Sequence, residues 1–413
     1  LPLTSQTMKI RKRLFTPGPT PIPEEVLQAL SRPIIHHRQS EFKEIFHRAS
    51  ENLKYLFQTK EDVLTLTASG TGAMEAAVVN LLSSGESAVY VDGGKFGERW
   101  GEILRRYGVT PLELKVEWGR AVDPELIKAT LTKHREAKAI FLTHSETSTG
   151  TAIDLKRVAE VVRNCSDALI VVDGITSVGA LELQMDEWGL DVVITGSQKG
   201  LMLPPGLSFI ALSQRAWKAA SASNLPKFYL DLDKAQKTLK EVQTPWTPGI
   251  SLIVGLDVAL QMICDEDLRN VWTRHERLAR GLRQGCAAFG LETLSSSPSN
   301  ALTALRMPQG MDGEALRTLL REKHGVIVAG GQDHLKRKII RIAHLGYFDE
   351  LDIITAVAAL GMAVRDCLEL NGKEAVTSDE YRKQFDLGAG VYAVLQEFSK
   401  PFKEEFQLSY LAS

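Results

Sequence analysis

From about residue 63 the chain alternates short runs of β-branched and other apolar residues with helical stretches, and that alternation leaves few folds open. Apolar runs of this length bounded by turn signals are strands buried on both faces, joined by crossover helices. The runs are Val63 to Thr67, Ala88 to Val91, Leu112 to Val116, Ala139 to Leu142, Leu169 to Val172, Val192 to Thr195 and Leu207 to Leu212. Helical segments near 73–82, 98–107, 124–134 and 155–163 separate several of them. The pattern predicts an α/β domain built on a large, mainly parallel seven-stranded sheet flanked by helices. After Thr247-Pro248-Gly249 the rhythm changes to a long helical stretch, about Leu252 to Phe289, and then to short strands and helices up to about Leu370. That predicts a smaller α+β domain. The expected division is an N-terminal arm at 1–23, a large domain at 24–250, a small domain at 251–370 and a C-terminal extension at 371–413.

The arm holds Thr16-Pro17-Gly18-Pro19-Thr20-Pro21-Ile22-Pro23, whose prolines forbid a helix and favour a stiff extended segment lying over another surface. At the other end Asn371-Gly372 breaks the last helix, and an amphipathic stretch, Val391 to Phe402, follows a polar one. With 49 Lys plus Arg against 51 Asp plus Glu, no basic field exists to hold a phosphodiester backbone, so nucleic acid is not an expected partner. The basic run Lys9 to Arg13 reads as a solvated arm. No run approaches the ~18 apolar residues of a membrane span. The four cysteines are far apart, without a C-x-x-C pair or a secretory signal, and Met8 is a candidate start, so the expected location is the cytoplasm. The nine histidines show no metal-ligand spacing, and no metal is expected.

In an open parallel sheet, ligands bind beyond the carboxyl ends of the strands. Four such ends carry polar or glycine-rich sequence: Ser69-Gly70-Thr71-Gly72, Thr143 to Gly150, Asp173-Gly174 and Gly196-Ser197-Gln198-Lys199-Gly200. The first follows a strand and opens a helix, where amides and hydroxyls face the positive end of the helix dipole and small residues let a phosphate approach. A dinucleotide fingerprint is opposed by Glu75, which stands where close helix packing needs a third glycine. Asp173 ends a buried strand, and a carboxylate there implies a cationic partner. Lys199 follows the next strand. A phosphate cup, a strand-end acid and a strand-end lysine are the parts needed to hold pyridoxal phosphate, whose aldehyde forms a Schiff base with lysine and whose ring nitrogen pairs with an acid.

The order of these motifs resembles that of the class V, fold-type I aminotransferases, most closely the alanine:glyoxylate and serine:glyoxylate (serine:pyruvate) group. The resemblance covers about residues 14–370, and its most specific piece is Gly196-Ser197-Gln198-Lys199. It implies that Lys199 is the Schiff-base lysine and later the proton carrier, and that Asp173 bonds the pyridinium nitrogen and keeps it protonated. It places Ser69, Gly70, Thr71 and Gln198 on the phosphate, Thr147 on the ring hydroxyl and Phe96 over the ring face. Thr247, in Thr244-Pro245-Trp246-Thr247, would reach the cofactor of a neighbouring subunit, so a homodimer with active sites at the interface is expected. Arg341, flanked by apolar strand residues, would fork onto the substrate carboxylate, and Gly18 would lie beside the substrate. The expected reaction is ping-pong transfer of the amino group of a small L-amino acid, alanine or serine, to glyoxylate or pyruvate. Transaminases acting on ureidoglycine or 2-aminoethylphosphonate, and a non-catalytic subunit docked through the C-terminal extension, are the rival expectations. No second arginine for a side-chain carboxylate is evident in the sequence.

Overall fold

All seven predicted runs are strands, and they lie in one sheet. They are β1 (Val63–Leu66), β2 (Ser87–Asp92), β3 (Thr110–Lys115), β4 (Ala139–Thr143), β5 (Leu169–Asp173), β6 (Val192–Gly196) and β7 (Ser208–Leu212). The spatial order is β1-β7-β6-β5-β4-β2-β3. In this computed structural model, residues 10–370 and 385–401 are described. The Asn371-Gly372 break, Met8, Lys9 and the chain end lie outside them.

Six strands run parallel, and β7 alone is antiparallel to its neighbours β1 and β6. Residues 197–207, which join β6 to β7, contain no helix and turn back through Pro204-Pro205-Gly206. A parallel return needs a longer crossover, so this short connection delivers the strand antiparallel. Successive side chains divide between the faces. Ile170, Val172 and Val193 pack with Phe42, Leu53, Phe57 and Val158 on one side, and Leu169, Val171, Val192 and Ile194 with Met74, Ala77, Trp100 and Leu104 on the other. β3 is the exception, half exposed along its length, and its Pro111, Glu113 and Lys115 suit an edge that must not pair further. The carboxyl ends of β1, β2, β4, β5 and β6 therefore open on one edge.

The long helical stretch expected from about Leu252 to Phe289 consists of two helices, Ile250–Glu266 and Leu268–Ala288. The break is at Asp267, in left-handed territory at φ 67°, whose carboxylate accepts from Arg269 N and starts the second helix. Ile253, Leu256 and Leu260 of the first helix pack into the large core, as do Leu268 and Val271, whereas Leu278 and Leu282 join the second core. That second core is built on an antiparallel sheet with strand Ile339–Ala343 between Leu302–Arg306 and Ala329–Gly330.

The first and last described segments are both tied to this second unit. Arg13–Leu14 pairs parallel with Val326–Ile327, and Phe15 O accepts from Ala343 N, which fixes the proline-rich arm that follows. The amphipathic stretch near the C-terminus forms helix Leu387–Phe398, packed on helices Leu268–Ala288 and Glu350–Leu370. Gly281 and Gly285 allow the approach: a Cβ there would lie 2.5 Å from the Phe398 ring and 2.6 Å from Val394. Arg277 donates to the carbonyls of Phe398 and Lys400, satisfying the end of the helix. No described helix is long and apolar enough to cross a membrane.

Candidate active site

Nine of the eleven residues singled out in the sequence line one cavity: Gly18, Ser69, Gly70, Thr71, Phe96, Thr147, Asp173, Gln198 and Lys199. They come from the arm and from the loops after β1, β2, β4, β5 and β6. Ser69 is the N-cap of helix Gly70–Leu81, and its hydroxyl makes no capping bond, which leaves it available to a ligand together with the first amides of the helix. Gly70 leaves room for the Ile175 side chain, since a Cβ there would come within 2.5 Å of Ile175 Cδ1 and displace it. The Thr147 hydroxyl shares a 2.8 Å hydrogen bond with that of Thr176.

Lys199 and Asp173 are both buried. Burial pulls the Lys199 amine down to about 8; Asp173 opposes that shift, while Arg341 and Arg99 add to it. Burial pushes the Asp173 carboxyl up to about 7; the Ile175 N–H, 2.8 Å from Oδ1, pulls it back, Glu146 raises it further, and Arg99 and Lys199 lower it. Removal from water costs each group its charge, and each returns part of that charge to the other. The arm closes over the lysine: Nζ donates to the Pro17 carbonyl, and Thr20 Oγ1 donates to Lys199 O at 3.1 Å. A Cβ on Gly18, at φ 137°, would sit 2.5 Å from Nζ. Only glycine can pass there.

Arg341 and Thr247 are not in the lining. Arg341 is buried in the central strand of the small sheet, where Nε donates to Gly330 O and Nη1 to Thr147 O, each at 2.9 Å. It therefore sits behind the Thr147 backbone, with Nη2 outside these two bonds. Thr247 is exposed and follows Trp246, whose ring stacks on Tyr229 and lies tilted against Phe228.

Two residues at or beside the cavity escaped the sequence reading. Arg99 lines the cavity, donates from Nη1 to Thr71 Oγ1 at 3.1 Å and lies with Cζ 4.8 Å from the centre of the Phe96 ring. Its signal was the i, i+3 spacing from Phe96 on helix Lys95–Arg106, which puts both on one face. Glu146 is buried and accepts from Phe96 N at 3.1 Å and Gly97 N at 3.0 Å through Oε2, and from Ser148 N at 3.0 Å through Oε1. Burial raises its pKa, and the bonds from Ser148, Gly97 and Phe96 lower it. It clamps the start of the helix that presents Phe96 and Arg99. Nothing in the periodicity separated it from its neighbours.

The sequence matches the family model of the class V aminotransferases over residues 13–345. The chain belongs to that family. A protein of Synechococcus sp. named as the small subunit of a soluble hydrogenase is 43% identical over 95% of this chain and 100% of its own length. The serine–glyoxylate aminotransferase of Methylorubrum extorquens is 35% identical over 86% of this chain and 92% of its own. Among solved structures, ureidoglycine–glyoxylate aminotransferase from Bacillus subtilis superposes with a TM-score of 0.85 at 27% identity, covering 96% of this chain and 100% of that one.

Class V aminotransferases use pyridoxal phosphate, and this aminotransferase has residues that fit it. The cup is made of small and hydroxyl residues, Lys199 offers a primary amine, and Asp173 is a buried acid with a single backbone donor. The buried Gln198 Oε1 lacks a hydrogen-bond partner, and the amide turned about its last bond presents N–H donors instead. The four cysteines are free, and among the described residues no three His, Cys, Asp or Glu side chains gather in a metal-holding group.

Proposed function

We propose that this class V aminotransferase moves the amino group of a small L-amino acid, alanine or serine, to glyoxylate or pyruvate. The observation that carries the reading is the burial of Lys199 and Asp173 in one cavity, beyond the ends of adjacent strands. Pyridoxal phosphate, when bound, supplies an electron sink for the substrate's Cα–H bond. Asp173 would hold a proton on the ring nitrogen, since a buried acid with cations nearby is suited to keep an ion pair there. Lys199 Nζ takes the proton from the substrate Cα, and a pKa near 8 leaves a usable fraction of neutral amine at neutral pH. Phe96 would pack on the ring face, Thr147 would bond the ring hydroxyl, and Ser69, Gly70, Thr71 and Gln198 would hold the phosphate. Arg341, which sits behind Thr147 with Nη2 outside its two bonds, would meet the substrate carboxylate through that nitrogen, and Gly18 with the arm would exclude water. Glyoxylate is in the names of two of these relatives, which supports it as acceptor.

The acting unit is a cytoplasmic homodimer, in which Thr247 reaches the cofactor bound by the second copy. Its exposure, with that of Phe228, an aromatic that is 74% exposed, supports this. Sedimentation of the purified protein tests it, and a monomer at working concentration would exclude it.

An absorption spectrum tests the reaction: L-alanine or L-serine should bleach the visible band of the bound cofactor and glyoxylate should restore it, with no response in Lys199→Ala. A band that no donor shifts overturns the substrate assignment. The relative named as a hydrogenase subunit favours a second reading, a component of a larger assembly. A partner that co-purifies while the band stays unresponsive to donors would establish that reading over the first.

A further inference from the structure

We infer that Arg99 is the charge that anchors the cofactor's phosphate, acting both directly and through Thr71. A phosphate monoester carries close to two negative charges at neutral pH. The cup assigned to it offers the hydroxyls of Ser69 and Thr71, the amide of Gln198 and the start of helix Gly70–Leu81, all neutral apart from roughly half a charge from the helix dipole. Three charged side chains line the cavity: Asp173, Lys199 and Arg99. The first two are committed to the ring nitrogen and the aldehyde, which leaves the guanidinium.

Its geometry agrees. Nη1 donates to Thr71 Oγ1 at 3.1 Å, so the Thr71 oxygen is an acceptor there and its own O–H is free to point into the cup. The remaining N–H groups of Arg99 have no partner among the described residues, and the planar fork matches adjacent phosphate oxygens. Two devices hold the fork before any ligand arrives: the Phe96 ring under Cζ, and Glu146, which fixes the first turn of the helix carrying both residues. The rival ligand, the side-chain carboxylate of a dicarboxylic amino acid, is disfavoured because Arg99 is tied to Thr71, at the mouth of the helix, and not to the Lys199 end of the cavity.

The test compares pyridoxal phosphate with pyridoxal, which lacks the phosphate, by titrating the apoprotein and reading the bound-cofactor absorbance. Arg99→Gln should raise the dissociation constant for pyridoxal phosphate by about 10- to 100-fold and leave that for pyridoxal unchanged, the scale of a lost charge-assisted pair. Arg99→Met, which keeps packing over Phe96, is held to the same outcome, and thermal melts of the apoproteins identify a variant that merely fails to fold. Equal weakening of both ligands, or of neither, overturns the inference. So does a variant that keeps its preference for the phosphorylated ligand but loses turnover of L-aspartate relative to L-alanine. The inference rests on the phosphate cup proposed above, and the two fail differently: a parent protein with no preference for pyridoxal phosphate over pyridoxal overturns the cup, whereas a parental preference that survives in the variants overturns only the part given to Arg99.

Discussion

Lys199 and Asp173, the residues proposed to act on the substrate, show how burial changes ordinary side chains. Each is moved toward neutral pH by loss of water, and the surrounding charges decide how far. Asp173→Asn keeps the shape and removes the charge, so the cofactor should still bind while kcat falls, by about 100-fold or more if the ring proton is needed in the transition state. Stopped-flow absorbance on mixing with donor measures this, and an unchanged rate would remove Asp173 from the chemistry. Glu146 works one step back from the reacting atoms. Glu146→Ala strips Phe96 N, Gly97 N and Ser148 N of a shared acceptor, and stability to urea should drop by roughly 2 kcal/mol, the scale of buried donors left unpaired. Glu146→Gln should lose less, since one oxygen remains. Lys199 and Asp173 could be read from sequence because their position after an apolar strand is itself a signal. Glu146 could not, because its role depends on a loop fifty residues earlier folding back over it.

Among elements, the seven strands were legible because strands buried on both faces must be continuous apolar runs, and ends differed by a residue or two. The break at Asp267 was hidden: an aspartate inside an otherwise helical pattern signals nothing until its backbone adopts φ 67° and its side chain caps the next turn. The destination of helix Leu387–Phe398 was hidden for a different reason, since an apolar face shows that something covers it and not what. Here the cover is the chain's own small domain. Truncation before residue 385 should therefore cost stability. It uncovers Phe289, Val357 and the groove at Gly281 and Gly285, and leaves Arg277 without the two carbonyls it holds. A melting temperature lowered by several degrees, with faster proteolysis of the small domain, is expected. An unchanged melt would mean that the helix is free to serve as a docking element for another protein.

For the molecule as a whole, the response to acid follows from histidines folded in their neutral form. His275 is buried between the two units: Nδ1 faces Val271 O at 2.6 Å, and Nε2 accepts from Gly346 N at 2.9 Å. That second bond needs a lone pair, so the ring cannot take a second proton without losing it. Burial, with the Arg274 charge adding to it, lowers the pKa to about 3. The unfolded chain binds a proton near pH 6.5 and the folded one does not, so the contribution of His275 is complete above pH 6.5 and is lost as pH falls from there toward 3. His144, lowered to about 4 by burial, acts in the same sense, whereas Asp173, raised to about 7, acts in the opposite one. The net slope of the parent protein thus mixes signs, and the variant isolates the term. His275→Gln keeps an acceptor for Gly346 N but does not titrate. Its urea stability should lie below the parent's at pH 7.5 and approach it by about 1.4 kcal/mol per pH unit between pH 6 and 4. A difference that stays constant over that interval would mean that His275 is already protonated in the folded protein, and the neutral hydrogen bond to Gly346 would have to be abandoned.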